Sequence, residues 1–172
     1  FLKSRGFDVS KYESATTFGY DSEGKEFLER NLGLHAANKL MAGRVKTWYW
    51  RVRWFKPLQE EEFSARISPT GEVIGLSHKI PENAKGKDLP HAEAARIARD
   101  FLVSVGVDPG KYKLSSDSSE KRPNRTDHSF EWKEQGFEEK GATNRIFVSI
   151  AGDSVRSFGY FLKVPETWER KV

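Results

Sequence analysis

The chain has 172 residues, 37% hydrophobic and 13% aromatic, enough for one domain or two small ones around an aromatic-rich core. Its formal net charge of +4, from 29 basic and 25 acidic residues, is too small to indicate nucleic-acid binding by itself. The absence of cysteine excludes disulfides, thiolate metal sites and cysteine nucleophiles.

Two stretches of the chain repeat each other. Phe1–Tyr12 and Phe101–Tyr112 share Phe, Leu, Ser, Gly, Asp, Lys and Tyr at the same spacings, and Lys79–Glu82 is matched by Lys163–Glu166 in the same order. Self-similarity of this kind is typical of repeated structural units. The sequence therefore predicts two units, residues 1–82 and 83–172.

Helices are predicted from apolar spacing and from breakers. Phe1–Leu2 should end a helix whose earlier turns are cut away, because the matching Phe101–Leu102 ends one in the second unit. An extra helix is predicted over 22–42, bent or broken at Gly33. The second unit's helix is predicted over Pro90–Val105, with apolar residues recurring every three to four positions.

Strands are predicted where apolar and polar residues alternate. After an extended run from Tyr12 to Phe18, the predicted strands are Thr47–Phe55, Glu62–Ser68, Glu72–Ile80, His128–Lys133, Asn144–Ala151 and Val155–Val164. The polar stretch Ser115–Thr126 is predicted to be a mobile loop. Each unit is thus an α+β layer, one helix packed on an antiparallel three- to four-stranded meander.

The most aromatic strand suggests a candidate binding surface. Period-2 alternation places Trp48, Trp50 and Trp54 on one face and Arg51 and Arg53 on the other. We expect the three Trp side chains to be buried under a helix, with the arginines lining the open face. The alternative, bases stacking among these aromatics, would need both residue types on one face. The candidate binding surface comprises Tyr49, Arg51, Arg53, Arg66 and His78.

No catalytic or metal-binding pattern stands out. The four histidines lie in four different predicted elements without zinc-ligand spacing, although His78 and His128 could meet in space. The acidic residues include no pair whose spacing favours acid–base chemistry. The sequence therefore predicts no catalytic residues, no metal and no cofactor, and a chain that is not itself an enzyme.

Several of these features together resemble a known family. A helix, Gly-x-Asp near its end, a Tyr, a meander whose hairpin reads Ser68-Pro-Thr-Gly-Glu-Val73, and an exit Lys-x-Pro-Glu resemble tandem PepSY-like domains. Ala65–Gly75 is similar to their strand–turn–strand, and Ala92–Leu102 to their helix. The resemblance implies two PepSY/cystatin-like repeats.

The chain also resembles the extracytoplasmic region of some CAAX-protease or abortive-infection-type (CPBP) intramembrane proteases. This implies a non-catalytic regulatory or peptide-recognition module, periplasmic or at the cell surface and tethered to the membrane in the full-length protein. The parent's protease residues would lie in membrane helices outside this chain. The implied partner is a peptide or protein segment, such as the parent's own protease domain, docking on an open strand edge.

Two other hypotheses remain open. One is a stand-alone binding domain for an anionic ligand, such as nucleic acid or a cell-wall polymer. The other is a hydrolase whose site residues are scattered along the sequence.

Overall fold

The computed structural model describes residues 1–169, which form one antiparallel eight-stranded sheet with helices on one face, so the predicted α+β class is confirmed. The helices are α1 (Ser22–Leu32), α2 (Leu34–Met41), α3 (His91–Ser104) and α4 (Glu166–Glu169). The strands are β1 (Glu13–Tyr20), β2 (Trp48–Phe55), β3 (Glu62–Ile67), β4 (Val73–Lys79), β5 (Tyr112–Arg122), β6 (Arg125–Glu134), β7 (Thr143–Ala151) and β8 (Ser154–Lys163). The predicted second unit ends with 170–172, which lie outside the described residues.

The order of the strands reads the same from both edges. It is β1-β2-β3-β4-β8-β7-β6-β5, so each half of the chain contributes a four-stranded meander. The two meanders join where β4 pairs with β8, and their first strands, β1 and β5, form the two edges of the sheet.

The main core lies between α3 and the strands β6, β7 and β8. Ala94 and Ala98 are fully buried in α3, and their small side chains allow the helix to approach the sheet closely. The sheet contributes the large buried side chains Phe130, Trp132, Ile146, Val148, Ile150 and Phe158. Leu2, Phe63 and Leu76 extend the same cluster into the first meander.

The predicted extra helix is present as two helices, α1 and α2, separated at Gly33 as expected. Gly33 has a φ of 78°, which favours glycine and interrupts the helical backbone. Asp21 caps α1 by accepting a hydrogen bond from the Gly24 backbone amide at 3.1 Å. The pair packs a second apolar cluster against Leu162 of β8. Among residues 1–169, no helix is long and apolar enough to cross a membrane.

The prediction of a mobile loop over Ser115–Thr126 is wrong. The residues of this stretch complete β5 and begin β6, and the two strands pair without interruption from Ser116 opposite Glu131 to Arg122 opposite Arg125. An edge strand exposed on both faces needs no apolar alternation, which is why its polar sequence was typical of a loop. Cross-strand ion pairs such as Arg122–Asp127, at 3.2 Å, support the pairing instead.

The expected burial of the three Trp side chains is also wrong for Trp50. The predicted alternation is present, but Trp50 is 47% exposed and Trp48 and Trp54 are half-buried. Phe18 and Tyr20 of β1 pair with Trp50 and Trp48 and are themselves about half exposed, at 51% and 50%. These four residues, Phe18, Tyr20, Trp48 and Trp50, are called the aromatic patch below.

Candidate functional site

The structure brings four of the five predicted binding residues together on the open face of the sheet. Tyr49, Arg51, Arg53 and Arg66 follow the same alternation on β2 and β3, and the Arg66 guanidinium lies 5.1 Å from the centre of the Tyr49 ring. Arg51 and Arg66 are directly opposite each other and exposed. Like charges in this position repel. The pair therefore favours an anionic partner.

Arg53 differs from the other two arginines. Its guanidinium donates two hydrogen bonds to the Glu62 carboxylate, at 2.7 and 2.8 Å. Those hydrogen bonds hold the pKa of Glu62 below its ordinary value. Arg53 is thus neutralised within the sheet and is less available to a ligand than Arg51 or Arg66.

A row of serines crosses the same face. Successive strands place one serine opposite the next: Ser64, Ser77, Ser157, Ser149, Ser129 and Ser118. At the usual spacing between strands, this serine row is about 24 Å long. Larger side chains flank the row on some strands, as Glu62 and Arg66 flank Ser64, and serines of the row line two separate clefts.

Two clefts lie along the serine row. The first, of about 310 Å³, is lined by Tyr49, Arg51, Arg66, Phe147 and serines of the row. Gly75 also lines this cleft, and the Arg66 side chain lies over it.

The second cleft, of about 320 Å³, lies near the other end of the row. Its basic residues Lys79, Arg122 and Arg156 are accompanied by the acidic Glu120 and Asp127, both of which form ion pairs with Arg122. Arg156 has a buried Nε with no hydrogen-bond partner among the described residues. The second cleft is therefore of mixed charge, whereas the first has Arg51 and Arg66 and no acidic residue among the described residues of its lining.

His78, the fifth predicted residue, lies on the opposite face of the sheet from the other four, although it also lines the second cleft. It is buried and stacks on Phe63, with ring centres 4.0 Å apart. The alternation along β4 already indicated this, because His78 shares the phase of the buried Ile74 and Leu76.

The His78 ring has polar partners on both nitrogens. Arg156, which can only donate, contacts Nδ1 at 2.6 Å, so Nε2 carries the proton and donates to Glu61 at 2.7 Å. Burial lowers the pKa of His78 and outweighs the Glu61 hydrogen bond, which acts in the opposite direction. His78 is therefore a neutral link between two charged side chains.

The structure also assembles a Ser–His–Asp cluster that sequence reasoning missed. His91, the first residue of α3, contacts Asp117 through Nε2 at 3.0 Å and Ser119 through Nδ1 at 3.1 Å. Ser119 also contacts Nδ1 of His128, at 2.8 Å. Asp117 and Ser119 are two residues apart, which places them on one face of a strand. The sequence analysis did not use this spacing of Asp117 and Ser119, because it predicted a loop and not a strand for their segment.

The hydrogen bonds of this cluster run against the proton path of a hydrolase triad. His128 donates from Nε2 to the Leu89 carbonyl at 3.1 Å, so in the neutral ring Nδ1 accepts the Ser119 hydroxyl proton. A triad serine instead gives its proton to the histidine that the aspartate orients, which here is His91. The cluster attaches the start of α3 to β5.

Comparison of the chain with protein-family models, curated proteins and solved structures found no significant match. Function is therefore inferred from the chain's own residues and their geometry. Among the described residues, no group of three or more His, Cys, Asp or Glu side chains is arranged to hold a metal ion.

Proposed function

We propose that this chain is a non-catalytic recognition module that binds an extended peptide by adding it as a further strand next to β1. The observation that carries this proposal is the contrast between the two edges of the sheet. β1 pairs with β2 through all eight of its residues without a register shift, and Glu13 is its one charged residue. An edge that is flat, uncharged and free of proline is a template for another strand.

β5 carries the features that normally prevent strand addition. Charged residues occur along its length, and its register shifts between Leu114 and Ser116. Bulges and charges of this kind protect natural edge strands from pairing with other chains. β1 has no such protection, because it has no register shift and no charged residue after Glu13.

The module is built, in this proposal, of two related units, each a helix on a four-stranded meander. The mirrored order of the strands supports this, as do the matching Gly-x-Asp and Lys-x-Pro-Glu segments. The separate resemblance to the extracytoplasmic region of CPBP intramembrane proteases supports a position outside the cytoplasm, in a membrane protein of the CAAX-protease type. The peptide would then come from that protease or from its substrate.

Amide hydrogen exchange tests strand addition directly. The probe is an acetylated and amidated peptide that alternates Val and Thr, matching the eight residues of β1, with Lys at both ends. We expect alternate amides of β1 to gain protection, because strand addition uses the backbone groups that face away from β2. The same peptide with N-methyl groups at alternate amides is the control and should give no protection. Equal protection of β5, or none at β1, would reject the proposal.

An anionic polymer on the open face is the second candidate function, favoured by the serine row with Arg51 and Arg66 beside it. Hydroxyl groups and guanidinium groups together suit sulfate, phosphate or carboxylate groups repeated along a chain. The probe is inorganic polyphosphate, titrated at low and high salt. The double variant Arg51→Ser, Arg66→Ser should weaken binding at least tenfold, whereas Arg96→Ser, on the exposed side of α3, should leave it unchanged.

A further inference from the structure

The first residues of the chain form the same helix end that closes α3. In α3, the Val107 amide donates to the Leu102 carbonyl and the Gly106 amide to the Val103 carbonyl, each at 3.0 Å. One hundred residues earlier, Phe7 donates to Leu2 and Gly6 to Lys3, also at 3.0 Å.

This pair of bonds with a left-handed glycine is the Schellman motif, which terminates α-helices. Gly6 and Gly106 have φ values of 84° and 86°. The Ser4 and Ser104 hydroxyls each donate a hydrogen bond to the carbonyl three residues before, that of Phe1 and of Phe101. The turn at Leu2–Phe7 therefore has the bonding of a helix C-terminus.

Strand register shows which residues of the two halves correspond. Gly75 pairs with Gly159, and their next neighbours are Arg66 and Phe147. Continuing outward, Arg51 corresponds to Glu131. Trp50 precedes Arg51 and Phe130 precedes Glu131, so Trp50 corresponds to Phe130.

The same register relates the whole aromatic patch to one set of positions in the second half. Phe18, Tyr20, Trp48 and Trp50 correspond to Asp117, Ser119, His128 and Phe130. All four of the latter contact His91, the first residue of α3: two by hydrogen bonds and two by ring contacts, with centres 5.9 and 5.1 Å apart. Phe130 is 1% exposed beneath α3, whereas Trp50 is 47% exposed.

We propose that the aromatic patch is covered by an amphipathic α-helix that runs into the turn at Leu2–Arg5, as α3 covers the second half. Leu2 is already buried in the main core and has helical backbone angles. From His91 to Phe101, α3 rises about 15 Å, so a helix of about three turns before Phe1 would have the same length.

The chemistry of this helix follows from what it must contact. Its first residue meets four aromatic side chains instead of the polar Asp117 and Ser119, so it is apolar where α3 has His91. Its positions corresponding to Ala94 and Ala98 are small, because those residues are fully buried against the sheet. The inference rests on the two-unit arrangement proposed above and is independent of peptide binding, because the helix covers the face of β1 and leaves its edge open.

A chimera tests the proposal. A copy of Asp88–Asp100, with His91→Leu, is placed directly before Phe1, so that the copied helix continues into the existing turn. The control carries Ala94→Glu and Ala98→Glu in the copy, which prevents close packing. Trp50 accessibility is measured by acrylamide quenching as the difference between each protein and its Trp50→Phe variant.

We expect the chimera to lose at least about half of the Trp50 quenching and to gain about 5 °C or more in melting temperature. The control should match the unextended chain. When Phe18→Ser and Trp50→Ser are introduced into both the chimera and its control, the chimera should no longer melt at a higher temperature than the control. This result would attribute the gain in melting temperature to the patch. Unchanged quenching in the chimera would overturn the proposal. The proposal would also be overturned if Trp50 in the unextended chain became less accessible to acrylamide as the protein concentration rises. That result would show that the patch binds a second copy of the chain.

Discussion

Gly75 lies directly opposite Gly159 at the centre of the sheet, where β4 pairs with β8. The two glycines are separated in sequence by the same interval as Lys79 and Lys163, the matched residues that first indicated two units. Each is crossed by a large side chain from the neighbouring strand, Arg66 over Gly75 and Phe147 over Gly159. The junction between the two meanders is therefore packed by side chains from the strands on either side of it.

The two glycines should differ in their tolerance of a side chain. A Cβ at Gly159 would lie 2.9 Å from the Phe147 ring, which is a clash, whereas at Gly75 the nearest atom, on Arg66, would be 3.3 Å away. We expect Gly159→Ala to lower the free energy of unfolding by about 1–3 kcal/mol and Gly75→Ala by less than about 1 kcal/mol. Urea denaturation of both variants measures the difference. Equal losses would mean that Phe147 moves aside freely.

Trp50 of β2 and Phe130 of β6 should respond differently to truncation. Phe130→Ala removes a side chain that is 1% exposed, and we expect it to cost about 3–5 kcal/mol. Trp50→Ala removes one that is 47% exposed, and we expect a loss of about 1 kcal/mol. Thermal unfolding of the two variants provides the measurement. A loss of similar size at Trp50 would show that the patch contributes to the core of this chain.

His78 should make stability depend on pH. Because burial holds its pKa below the ordinary value of 6.5, the unfolded chain binds the proton more tightly than the folded one. The contribution of neutral His78 is therefore present above pH 6.5 and is lost as pH falls below it. We expect the free energy of unfolding to decrease from pH 7 to pH 5.5 more steeply in the parent than in His78→Gln, which keeps an amide hydrogen-bonding group but does not titrate. Parallel pH profiles would contradict this.

The Ser119 cluster should not act as a nucleophilic site. Its hydroxyl proton is directed to His128 and away from the histidine paired with Asp117. We expect any hydrolysis of p-nitrophenyl acetate to proceed at the same rate in the parent and in Ser119→Ala. A rate that falls at least tenfold in the variant, with its fold intact by circular dichroism, would instead identify Ser119 as a nucleophile.

Local sequence was sufficient for most elements of secondary structure. The apolar spacing of α3, the alternation of β2, β3 and β7, and the break at Gly33 each depend on residues a few positions apart. The opposite orientation of Arg53 and Trp54 followed from the same alternation. The predictions failed where the outcome depended on burial in the folded chain and not on periodicity. Trp50 and the polar edge strand β5 are the two examples.

Only the tertiary structure decided which residues lie side by side. Six serines drawn from six strands form one row because β4 pairs with β8 in a particular register, and no local pattern specifies that register. The contacts of His91 with Asp117 and Ser119 likewise require α3 to cross onto β5. The sequence by itself determined the helices, most strands and the face on which each strand residue lies, because these depend on backbone geometry over a few residues. The neighbours across strands depend on how distant segments pair, which is decided by the packing of the whole sheet.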